Sequence, residues 1–182
     1  MVVLDSTFLT FLFVPNAKCG VDRPRDRVDF LISDLRGRGE RVRVPAPALS
    51  ELLVRTGHST QQILHELTQS PRFQVEPFDT RAAIEVALMS IDASKSGAKR
   101  AESKDTYAKV KYDRQIVAIA KVLNATIYSE DEEVRKLAQS RGLTAKSIAD
   151  CPLPYASREE GPGPLFGGLS KDNSNAKENE KK

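Results

Sequence analysis

Four short apolar runs, at residues 2–5, 42–45, 74–78 and 125–129, each lead into a stretch with helical apolar spacing. Helices are predicted over 6–13 after the first run, 48–55 and 60–69 after the second, and 80–91 after the third. The fourth run leads into a helix over 132–141, where Gly142 suits a C-terminal cap. A separate helix over 113–123 carries Ile116, Val117, Ile119, Ala120 and Leu123 on a broad apolar face. Strand–helix alternation of this kind predicts an α/β fold with a mostly parallel sheet.

The alternation stops near residue 156. Residues 156–182 are rich in Gly, Pro, Asn, Lys and Glu and hold few large apolar side chains. Such a segment buries too little surface to offset its ordering entropy, so a disordered polar tail is expected there and a folded unit over 1–155. The chain of 182 residues is 40% hydrophobic and 29% charged, enough for a core without disulfide staples. Its two cysteines, Cys19 and Cys151, lack metal-like spacing and read as reduced structural thiols. A net charge of +3 permits a polyanionic partner without demanding one. No apolar run approaches the ~18–20 residues of a membrane span. The apolar N-terminus lacks a basic leader region and carries Asp5, so it reads as a strand entering a helix. A cytoplasmic protein is expected.

In open parallel sheets, function gathers beyond the carboxyl ends of the strands. The first run ends in Asp5, and the second leads into a helix carrying Glu51. Asp113 opens the helix that feeds the fourth run, and that run ends in Ser129-Glu130-Asp131. Each acid has a plainer role open to it. Asp5 and Asp113 suit helix capping, Glu51 suits a solvated helix flank, and Asp131 suits an acidic first turn. Their shared placement at one sheet edge is what raises the set. Crowded carboxylates resist full ionisation unless a cation neutralises them, and a hard divalent ion with oxygen ligands does so.

These residues, in this order, resemble the PIN-domain family of metal-dependent ribonucleases, and most closely the toxin branch of bacterial toxin–antitoxin pairs. The matching segments are VVLDSTFL at 2–9, VPAPALSELL at 44–53, EPFDTRAAIEVA at 76–87 and DRQIVAIAKVLNATIYSED at 113–131. The resemblance implies a three-layer α/β/α sandwich around a mostly parallel sheet of four to five strands. It implies one or two Mg²⁺ or Mn²⁺ ions held by Asp5, Glu51, Asp113 and Asp131. Ser6 and Ser129 would stand behind them, positioning a carboxylate or a water. An antitoxin partner and a homodimer come with the resemblance as well. The sequence departs from the family pattern in a longer stretch over 92–112, and Asp131 lies among Glu130, Glu132 and Glu133.

The activity implied is hydrolysis of RNA phosphodiester bonds. An acidic site needs basic surroundings to draw in RNA, and two regions offer them. One is the arginine-rich stretch over 18–43; the other is the 92–112 segment, whose Lys104, Lys109 and Lys111 run into Asp113. His58 and His65 read as surface residues, and Asp79 as a helix cap. Two alternatives share part of this pattern. A catalytically weak PIN-like nucleic-acid-binding or scaffold protein fits less well, because all four acids are present. An aspartyl-nucleophile phosphatase expects a second aspartate where this chain has Thr7.

Overall fold

A computed structural model describes residues 1–95 and 107–154, so Lys104 and the expected tail lie outside the described residues. Five strands form one parallel sheet in the order β3-β2-β1-β4-β5. They are β1 (Val2–Leu4), β2 (Val42–Pro45), β3 (Phe73–Glu76), β4 (Thr126–Tyr128) and β5 (Ala145–Lys146). The helices are α1 (Ser6–Phe13), α2 (Pro24–Gly37), α3 (Ala46–Thr56), α4 (Thr60–Gln69), α5 (Thr80–Lys95), α6 (Tyr107–Val122) and α7 (Glu132–Ser140). They flank the sheet as the outer layers of an α/β/α sandwich.

The central strand β1 is buried throughout. A strand covered on both faces needs a continuous apolar run, and Val2-Val3-Leu4 supplies one. Phe8, Leu9 and Leu12 of α1 are fully buried beside it. Each such side chain contributes roughly 1.5–3 kcal/mol of transfer free energy. On α6 the apolar face of Ile116, Val117 and Ala120 is buried as expected. The turn from α6 to β4 passes through Asn124 at φ +48°, a left-handed position that asparagine tolerates. Gly142 follows α7 at φ +76°, with its N–H on the Gln139 carbonyl and that of Leu143 on Ala138. That is a Schellman termination at the expected Gly142, with the helix itself ending at Ser140, one residue before the expected end.

Three expectations need correction. α6 spans Tyr107–Val122, so Asp113 lies in its second turn and does not open it. Residues 107–112 alternate lysine with small and aromatic residues, and that pattern hid the first turn from an apolar-period reading. α2 was not expected at all. Its signal was present, with Pro24 at the first position and Val28, Leu31, Ile32 and Leu35 buried at helical spacing. The charge of the surrounding arginines masked it. β3 ends at Glu76, so Pro77 and Phe78 fall outside the strand. β5, two residues long, is too short to have a period. Among the described residues no helix is long and apolar enough to cross a membrane.

A candidate active site at the switch point of the sheet

The chain lays β2 and β3 on one side of β1, then returns to place β4 and β5 on the other. The direction of winding therefore reverses between β1 and β4. Crossovers leave that point on opposite sides, which opens a crevice at the carboxyl ends of the two strands. Asp5 and Ser129 are the residues immediately beyond those ends. With Ser6 they are the buried polar side chains of the described residues. All three were singled out from the sequence.

Asp5 has one oxygen inside the protein's own donor set and one across the crevice. Its Oδ1 accepts from the Thr7 and Phe8 N–H groups at 2.9 and 3.2 Å, which caps α1. The Thr7 hydroxyl donates to the same oxygen at 2.6 Å. Its Oδ2 accepts from the Ser129 hydroxyl. Burial still dominates. It pushes the Asp5 carboxyl up to about 6 despite the four hydrogen bonds that pull it down. A carboxylate this buried, at a crevice, is a candidate functional group.

Thr7 is the residue that sequence reasoning missed. Besides donating to Asp5, its hydroxyl accepts from the Glu130 N–H at 3.0 Å, so one side chain ties the β1–α1 turn to the β4–α7 turn. Ser6 makes no such link through its hydroxyl; its carbonyl accepts from Thr10 Oγ1 at 2.7 Å. The signal available was the run Asp-Ser-Thr, in which only the third residue caps back onto the first.

The acidic run after β4 is sorted by the structure. Glu130 accepts from the Ile148 N–H and so braces the loop after β5. Glu132 and Glu133 are exposed and reach Lys136 at 2.9 and 3.3 Å. Asp131 is the one that faces α6. Its Oδ1 accepts from the Glu133 N–H at 2.9 Å, capping α7, and its Oδ2 meets Lys109 Nζ at 2.7 Å. Burial raises the Asp131 carboxyl, but the Lys109 ammonium and the capping N–H groups outweigh it, and the net direction is downward. The Asp131 N–H in turn donates to Ser129 Oγ at 3.0 Å.

Glu51 and Asp113 are half-buried. Glu51 shares a stripe of α3 with the buried Pro47, Ala48 and Leu52, on a helix packed against α1 and α6. Asp113 lies four residues after Lys109 and three before Ile116, on the core-facing stripe of α6. Because Lys109 reaches Asp131, that stripe is directed at the β4–α7 turn. The donor set suits a hard divalent cation in kind, being carboxylates and a hydroxyl. In position it is not yet gathered. Among the described residues no three histidine, cysteine or acidic side chains stand close enough to share a metal ion.

The basic surroundings divide in the same way. In the 18–43 stretch, Arg23, Arg25 and Arg38 pair with neighbouring acids, and Arg43 reaches Glu76 across the sheet at 2.7 Å. Arg27 donates to the Ala149 and Cys151 carbonyls and holds down the end of the described chain. These arginines are engaged within the chain, which leaves exposed Arg36 and Arg41. Lys111 is exposed, whereas Lys109 is engaged with Asp131. A shallow pocket of about 100 Å³, lined by Glu76, Pro77, Ile119 and Val122 among others, sits at the opposite end of α6 from Lys109. Asp79 caps α5 through the Ala82 N–H at 2.9 Å, as expected, and His65 is exposed.

A five-stranded parallel sheet in this order, flanked by helices, is consistent with a PIN-like fold. Solved structures bear this out at the level of fold. FitAcB from Neisseria gonorrhoeae is 20% identical with a TM-score of 0.57, over 81% of this chain and 98% of that one. VapBC2 from Rickettsia felis, bound to a DNA fragment from its promoter, is 13% identical with a TM-score of 0.57, over 81% and 98%. VapC20 from Mycobacterium tuberculosis, a sarcin-ricin loop cleaving toxin, is 13% identical with a TM-score of 0.54, over 84% and 100%. The fold is that of a VapC-like PIN domain. No protein-family model matches the sequence, and no curated protein is similar enough in sequence to rank as a relative.

Proposed function

We propose that this protein is a metal-dependent endoribonuclease of the toxin type, hydrolysing RNA phosphodiester bonds at the carboxyl edge of its sheet. The observation that carries the reading is the Asp5 carboxylate, buried at the switch point and held by Ser129 and Thr7. The RNA-cleaving toxin among the matched structures supports the substrate class. Asp5, Glu51, Asp113 and Asp131 would hold one or two Mg²⁺ or Mn²⁺ ions. Such an ion supplies charge neutralisation for the attacking and leaving oxygens of the phosphodiester.

The remaining work falls to the chain itself. Ser129 and Thr7 donate to Asp5 and fix the direction of both its oxygens, so it meets a ligand without reorganising. Glu51, half-buried beside apolar neighbours, would bind the ion or orient the attacking water, and Asp113 would complete the ligand set. Lys104 and Lys111 draw the RNA backbone to the edge by countering phosphate charge. An antitoxin would cover this edge. A second copy of the chain would meet α5, whose Ile84, Leu88 and Ile91 form an exposed apolar stripe between Arg81 and Asp92.

The test is cleavage of a structured-RNA pool by the purified chain with Mg²⁺, with Mn²⁺ and with EDTA, alongside Asp113→Asn. Cutting that needs the metal and vanishes in the variant is the expected result. RNA bound but uncut under every condition would replace the enzyme with a binding module.

A further inference from the structure

The outer face of α5 is apolar where a solvated helix is polar. Ile84, Leu88 and Ile91 are 55%, 48% and 48% exposed at helical spacing, with exposed Ala87 between them. The two ends of this face differ in charge. At its start lies the shallow pocket, whose lining carries two carboxylates, Glu76 and Asp79, against one guanidinium, Arg81. Glu76 is largely buried and its Oε1 meets Arg43 at 2.7 Å, whereas its Oε2 has no hydrogen bond among the described residues. At the far end Lys95 closes the helix, exposed and in no ion pair among the described residues. Asp92, one turn earlier, is already matched by Arg141 at 2.7 Å.

A face with an acidic socket at one end and a cation at the other is complementary to itself when turned end for end. A two-fold axis between Ala87 and Leu88 sets Ile84 against the partner's Ile91, and Ala87 against the partner's Leu88. The same rotation brings the partner's Lys95 beside Thr80, at the mouth of the pocket. We propose that two copies pair through antiparallel α5 helices, and that Lys95 of each enters the other's pocket to bond Glu76. The inference rests on the reading that a second copy meets α5, and it gives that pair a register and a charge contact. A parallel pair would set each acidic socket against its own image, which like-charge repulsion disfavours. Lysine suits the socket, because its four methylenes lie along Ile119 and Val122 while the ammonium reaches the carboxylate. Each copy gives one lysine and receives one, so the contact occurs twice.

Sedimentation equilibrium of the full chain over roughly 1–200 µM tests this with neither metal nor RNA present, so the ribonuclease reading is not at stake. The unaltered chain should form a dimer within that range. Leu88→Glu should leave it monomeric, because a carboxylate then occupies the apolar centre. Lys95→Gln should weaken dimerisation about 5-fold and Lys95→Glu at least about 20-fold, since each dimer holds two of these contacts. Lys95→Gln combined with Glu76→Gln should be no weaker than Lys95→Gln alone. A monomer at every concentration overturns the inference and the second copy with it. A dimer that survives Leu88→Glu puts the second copy elsewhere and overturns the α5 pair. A dimer broken by Leu88→Glu but indifferent to Lys95→Gln and Lys95→Glu overturns the lysine contact.

Discussion

Asp5 and Asp131 occupy equivalent places in the chain and end in opposite electrostatic states. Each follows a strand of the parallel sheet, each caps the helix that comes next, and the two strands are neighbours. Asp5 is buried, faces hydroxyls and N–H groups only, and is pushed up to about 6. Asp131 is one-fifth exposed, faces an ammonium, and is held below the usual carboxylate range. The local sequence logic of strand, acid and helix is the same. What differs is the element across the crevice, and that is set by topology: β1 is central, whereas the β4–α7 turn lies against the first turn of α6. One crevice thus contains a carboxylate held only by hydrogen-bond donors and another matched with an ammonium.

The sharpest way to break this contrast is Asp5→Asn. On the proposed ribonuclease reading it should lower kcat/KM for RNA by at least about 100-fold, because that reading makes Asp5 a metal ligand. It should also stabilise the metal-free fold. The Asp5 pKa is raised on folding, so the native state binds the proton more tightly than the unfolded chain. Its contribution to stability is present near pH 4 and is lost as pH rises to about 6. A shift from 3.8 to about 6 corresponds to roughly 2–3 kcal/mol, which Asn should recover at pH 7. Denaturant unfolding of both proteins in EDTA from pH 4 to 8 measures this. The unaltered chain should weaken through that window, and the variant should stay level. Parallel curves would mean that Asp5 is not the strained group.

Much of this was legible in the sequence because it depends on local period and chain order. The runs over 2–5 and 42–45, the cap at Asp5 and the buried Ser129 follow from short apolar stretches closed by polar residues. The rest depends on what meets across space. Thr7 links two turns 123 residues apart through the Glu130 N–H, and no spacing rule carries that information. Lys109 looked like one lysine among several in a charged segment, and only the packing of α6 against α7 reveals Asp131 as its partner. α2 was overlooked for a different reason. Its apolar stripe is regular, but the arginines around it dilute the apolar contrast, and most of them are engaged within the chain.

Thr7→Val should produce the next largest effect. The substitution keeps the shape and removes the hydroxyl, leaving the Glu130 N–H without its acceptor and Asp5 with one donor fewer. A cost of about 1–3 kcal/mol is expected at pH 7. The loss should shrink toward pH 5, where a protonated Asp5 needs the donor less. Thermal unfolding at the two pH values checks it. An equal loss at both would assign Thr7 to packing alone and detach it from the carboxylate.

Asp131→Asn should barely move stability, and that modesty is informative. Asparagine caps a helix about as well as aspartate, so α7 keeps its cap, and only the partly exposed contact with Lys109 is lost. The expected cost is under about 1 kcal/mol at pH 7. Its pH dependence should oppose that of Asp5. A carboxyl lowered on folding contributes stability above its unfolded value near 3.8, and that contribution disappears as pH falls through the folded value. Unfolding curves taken below pH 4 should therefore show a shallower acid loss in the variant, while the window from pH 4 to 6 keeps the slope due to Asp5. Two carboxylates with one backbone role would then be separated by the sign of their slopes alone. A variant that instead altered the slope between pH 4 and 6 would show that the two acids titrate as one coupled pair across the crevice.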